Sequence, residues 1–98
     1  MLDPDQLVLD SEVRGSLTER LVLHGQVDHH HVAVVFAAEI LDHWPREIQR
    51  ERLNEMHPFL EAATRRALAK RRYSIVEDLL PGDREALLVI LTWADIAS

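Results

Sequence analysis

The run "ERLVLHGQVDHHHVAVVF", residues 19 to 36, constrains the fold more than any other stretch of the chain. Leu21, Leu23 and Val27 recur at period two in its first half, as Val32, Val34 and Phe36 do in its second. That period puts them on one face of two strands. With Asp28 and His29 as a two-residue loop, Val27 stands opposite His30, Gly25 opposite Val32, Leu23 opposite Val34 and Leu21 opposite Phe36. A slip of one residue sends this set to the wrong face, so the pattern selects the register. Such loops favour positive φ, usually supplied by Asn-Gly or Asp-Gly. His visits that region more often than most non-glycine residues, which makes Asp28-His29 tolerable but strained. On this register His31 faces Gln26 on the opposite, exposed side, and His24 lies diagonal to it within reach.

The remaining elements follow by the same reasoning. "QLVLDSEV" reads as a first strand, ended by a turn at Gly15-Ser16. After Phe36 the period lengthens. "AAEILDHW" reads as a short helix halted before Pro45, and "PREIQRERLNEM" as a polar helix with that proline at its start. In "PFLEAATRRALAKRRY" the residues Leu60, Ala63, Thr64, Ala67, Leu68 and Arg71 share one helical face. Glu61 stands four residues before Arg65, the favourable order for an ion pair. Residues 74 to 80 are open to two readings: Ser74 and Glu77 have capping-box spacing, yet Ser-Ile-Val could begin a strand. "PGD" is a turn under either reading. "ALLVILT" is apolar on both faces, as a central strand would be, and Thr92 can cap a closing helical turn. The expectation is one α+β domain over residues 1–98. A small antiparallel sheet, the N-terminal hairpin plus a C-terminal strand, packs on one long and one or two short helices.

A family resemblance rests on three of these stretches. "RLVLHGQVDHHHVAVVFAAEILDHW", "HPFLEAATRRALAKR" and "LLVILTWADIA" resemble a bacterial family of short uncharacterised proteins, domain of unknown function 1488. That family shows a strand, a Val-Asp-Gly type of turn, a second strand, a short helix, a long Ala-rich basic helix and a strand ending in Thr-x-x-Asp. The resemblance spans most of residues 20 to 97. His29 stands where the family usually has Gly, and the region from Ser74 to Glu85 is longer. It implies a compact α+β sandwich and no activity.

Composition excludes some chemistry. With no cysteine, thiolate metal sites and thiol redox chemistry are absent, and the composition suits a reducing, cytoplasmic setting. No apolar run reaches the roughly 20 residues of a membrane span, and the acidic start "MLDPDQLVLD" is unlike a signal peptide. Net charge is −6, but Arg65, Arg66, Lys70, Arg71 and Arg72 put +5 into eight residues, leaving −11 elsewhere.

Three functional readings compete. Adjacent strand residues point to opposite faces, so His29, His30 and His31 cannot converge, and the bland reading is a solvated His-rich turn. A metal module would use His24, His29 and His31 with neighbouring carboxylates, since neutral imidazole suits zinc, copper and nickel. The basic helix end, Arg65 to Arg72, could touch phosphate. It lacks interleaved aromatics, however, the macrodipole alone favours basic residues there, and the acidic remainder opposes nucleic acid. No catalytic constellation emerges: Ser11, Ser16 and Ser74 lie in no nucleophile elbow, and three glycines form no phosphate cradle. Trp44 and Trp93 read as core or interface anchors. The expectation is therefore a non-enzymatic protein-binding module without cofactor, possessing a protein partner or a second copy of itself as ligand. Arg65, Arg66, Lys70, Arg71, Arg72, Trp44 and Trp93 are its candidate contact residues.

Overall fold

The computed structural model describes residues 3–15, 20–77 and 85–97. The expected turns at Ser16 and at residues 81 to 83, and residues 78 to 80 of the ambiguous segment, lie outside them.

The hairpin forms at the register its apolar pattern selects. Strands β2 (Leu23–Val27) and β3 (His30–Phe36) pair antiparallel, with Leu23 opposite Val34, Gly25 opposite Val32 and Val27 opposite His30. Asp28 at φ 46° and His29 at φ 68° make the two-residue loop with both φ values positive, as a type I′ turn requires. Leu21 and Phe36 are both buried but do not pair, because the ladder starts at Leu23 and Val22 instead bridges Arg14.

The N-terminal segment contributes less strand than its sequence suggests. Asp3 caps a 3-10 turn, Pro4–Gln6, and only Val8–Leu9 forms β1, antiparallel to β2. Leu9 stands opposite Gly25, where a Cβ would come within 2.6 Å of both the Val8 carbonyl oxygen and a Leu9 methyl. Glycine is what allows β1 to lie this close. Beyond it, the Val13 amide donates to Asn54 Oδ1 at 2.6 Å, tying the segment to the helical layer.

Three helices follow β3. α1 (Ala38–Leu41) and α2 (Arg46–Glu55) meet at a corner closed by Gln49, whose Nε2 donates to the carbonyls of Leu41 and Trp44. α3 (His57–Ala69) buries Leu60, Ala63, Thr64, Ala67 and Leu68, the face its spacing predicts. Arg71, counted on that face, instead leaves the helix: it adopts φ 57° while the amides of Arg71 and Arg72 bond back to Leu68 and Ala67. This is a Schellman ending with arginine in the place glycine usually takes.

The chain then returns to the sheet. Ser74–Glu77 is strand β4, so the capping-box reading of that segment gives way to the strand reading. β5 (Glu85–Leu91) is central, as its two apolar faces imply, and the order is β1-β2-β3-β5-β4. The sheet is mixed rather than antiparallel throughout. β3 and β5 run parallel, because the three helices carry the chain back to the far edge and β4 turns into β5 from there. α4 (Trp93–Ala97) closes the described chain.

One core holds the two layers together. Leu23, Val27, Val32, Val34, Phe36, Leu87, Val89 and Leu91 point from the sheet into Ile40, Leu53, Leu60, Ala63, Ala67 and Leu68 of α1, α2 and α3. Among the described residues the architecture is α+β, with helices on one side of a five-stranded sheet.

Candidate functional site

Strand alternation that fills the core also determines what lies on the sheet's other face. Register places Val22, His24 and Gln26 of the β2 side, His31, Ala33 and Val35 of β3, Ala86, Leu88 and Ile90 of β5, and Ser74 and Val76 of β4 there together. Val8 joins them opposite Gln26. Ala33, Val35 and Ala86 are buried although they stand outside the helix-covered core, flanked by larger neighbours on their own face. Ile90 and Val8 are open, at 51% and 69% exposure. None of the residues just named is charged. The border at β1 carries the ion pair of Asp10 and Arg14, 3.8 Å apart, with the Asp10 amide bonded to the His24 carbonyl.

Near the hairpin end of this face the diagonal pair meets. His24 Nδ1 and His31 Nε2 are 3.0 Å apart, and the two half-buried rings tilt by 37° with centroids 5.1 Å apart. One nitrogen donates and the other accepts, so the contact requires at least one neutral ring. Burial holds the His24 pKa below its ordinary value; the neighbouring His31 and Arg14 lower it further, and Asp10 opposes them. His29 and His30 are exposed at the loop, so the sequence triplet separates and only His31 finds His24. Among the described residues no group of three or more His, Asp or Glu gathers as a metal cluster would.

The basic helix end has a structural use. Arg65 pairs with Glu61 at 2.9 Å. Arg66 donates to the Asp95 carbonyl, and both terminal nitrogens of Arg72 donate to the Asp95 carboxylate. That carboxylate also accepts from the Thr92 amide and hydroxyl, so it caps α4 while anchoring the end of α3. Burial raises the Asp95 pKa, but the Arg72 and Thr92 hydrogen bonds outweigh it and leave the group below its ordinary value. Lys70 and Arg71 stay exposed.

Trp44 and Trp93 come together where β3 and β5 end, half-buried against the core. His43 lies edge-on between them, 4.8 Å from Trp93 and 6.0 Å from Trp44. Glu39, which shares a helical face with His43 in sequence, instead accepts from the Trp93 amide at 3.0 Å. The group anchors α1 to α4.

Sequence reasoning missed Val35, Ala86, Leu88 and Ile90 as a surface. Half of the signal was present: residues 86 to 91 of β5 put nothing polar onto either face, and among the described residues helices receive only one of them. Comparison with protein-family models gives no match, and comparison with curated proteins and with solved structures gives no significant one. Among the described residues no helix is long and apolar enough to cross a membrane.

Proposed function

We propose that this chain is a non-enzymatic protein-binding module that associates with a second copy of itself through the face of the sheet opposite the helices. The observation that carries the reading is the composition of that face. A solvated sheet face ordinarily alternates polar residues outward, whereas the centre of this one presents Ala33, Val35, Ala86, Leu88 and Ile90, with the two imidazoles, Gln26 and Ser74 around them and the Asp10–Arg14 ion pair along the β1 margin. On a chain of net charge −6, a face whose centre is uncharged and whose one ion pair, Asp10 with Arg14, is internally neutral lets two copies approach with little like-charge repulsion. Two such faces can stack as the sheets of a sandwich do, about 10 Å apart.

The size of the face sets the strength. Five strands spaced by about 4.8 Å span roughly 24 Å, which gives on the order of 500 Å² per copy. That falls at the low end for specific interfaces, the size class of weak and transient contacts. The cysteine-free chain suits a cytoplasmic setting.

Sedimentation equilibrium in EDTA tests the reading. The expected result is a monomer–dimer equilibrium abolished by Ile90→Lys and weakened by Ile90→Thr, the latter retaining β-branched character. A monomer at all concentrations, or a dimer indifferent to both substitutions, would rule it out.

A further inference from the structure

We propose that His24 and His31 form half of a site for a first-row divalent cation, zinc above all, and that the same two imidazoles of the second copy complete it. This rests on the face-to-face reading above.

The geometry is that of a chelate. Tetrahedral zinc holds imidazole nitrogens at about 2.0–2.1 Å, which places any two of them about 3.3 Å apart. His24 Nδ1 and His31 Nε2 already stand 3.0 Å apart, so opening by a few tenths of an ångström admits the ion between them. Their rings are tilted by 37° rather than stacked, and the atoms brought together are one ring nitrogen from each. Both rings are half-buried on paired strands, β2 and β3, whose ladder fixes the backbone beneath them. Little ordering remains to be done on binding.

Two imidazoles leave a tetrahedral ion half coordinated, and no third His, Asp or Glu gathers with them among the described residues. A second copy stacked on this face brings two more, by symmetry, to the opposite side of the same ion. The resulting four-nitrogen set is one that zinc, nickel and copper accept, and it has no thiolate to favour softer ions. Ligation requires neutral rings. The charged groups facing His24 are Asp10 and Arg14, paired with each other 3.8 Å apart and opposite in their effect on it. The metal-free contact is then a placeholder: one proton shared between the two nitrogens occupies the position that the cation takes over.

The test is sedimentation equilibrium in EDTA and in zinc chloride, with zinc per chain measured calorimetrically, on the full chain and four variants. These are His24→Ala, His31→Ala, the loop double variant His29→Ala with His30→Ala, and Ile90→Lys. Zinc is expected to tighten the dimer about tenfold or more, saturating at one ion per two chains. Either His24→Ala or His31→Ala abolishes the tightening by zinc, read as the ratio of that variant's own association constants in zinc and in EDTA, and the loop variant keeps that ratio. A dimer in EDTA that ignores zinc overturns this inference and spares the self-association reading. A monomer under both conditions overturns both. Binding of one ion per chain without tighter association, or a zinc effect that survives His31→Ala, overturns the inference, as does loss of the effect in the loop variant alone.

Discussion

On one face of the sheet Leu23, Val34, Val89 and Leu91 are closed to solvent beneath α1, α2 and α3; on the other, Ile90 and Val8 stand more than half exposed. Both faces are apolar at their centre, yet only the first is explained by folding. Side chains on the covered face touch helices that depend on them, so truncation there removes contacts that nothing else replaces. Side chains on the bare face are held by their strands whether or not anything covers them. Apolar character on the covered face is therefore read out as stability, and on the bare face as association.

The largest expected contrast sets the two faces against each other. Leu23→Ala or Leu91→Ala should cost about 3–4 kcal/mol in urea unfolding, since both side chains are fully buried. Ile90→Thr should cost about 1 kcal/mol or less, because its side chain is half exposed, while weakening the dimer. Equal losses at both positions would erase the distinction.

Within the helical layer, Asp95→Ala should cost about 2–3 kcal/mol, from a lost helix cap and a lost charge-assisted pair with Arg72. Its acid limb is also predictable. The carboxylate binds protons less readily folded than unfolded, so its stabilisation is complete above the ordinary value of about 3.9 and lost as pH falls below it. In Asp95→Asn that limb should flatten.

Gly25→Ala probes the joint between β1 and the covered face. With backbone 2.6 Å from the new Cβ, a cost of about 1–3 kcal/mol is expected.

On the bare face the corresponding pH effect belongs to His24. The folded chain holds its proton less tightly than the unfolded chain, so stability is full above the ordinary value of about 6.5 and declines as pH falls through it. His24→Gln should remove this part of the decline and leave the Asp95 limb intact, as followed by unfolding at stepped pH.

The smallest effects are gains. His29→Gly and Arg71→Gly each relieve a positive φ and should stabilise by about 0.5–1 kcal/mol in the same assay.

How much of this was legible in the sequence depends on the range of the interaction. The hairpin register and the Asp28-His29 loop were legible, because period two and a two-residue turn are local facts. So were the buried face of α3 and the meeting of His24 with His31. The parallel pairing of β3 with β5 was not: it depends on where three helices and β4 return the chain. The partners of Arg66 and Arg72 were hidden for the same reason. Asp95 lies 29 and 23 residues away, so the charges looked available for binding when they were committed to holding α4. The bare face was half legible. β5 announced two apolar faces, but nothing local shows that helices cover only one of them.

The most direct measurement is the concentration dependence of methyl chemical shifts, followed from micromolar to millimolar protein in EDTA. The account predicts that Val8, Val35, Val76, Leu88 and Ile90 shift together along one binding curve while Leu53 and Leu60 stay fixed. Shifts centred on the helical layer, or none across that range, would contradict it.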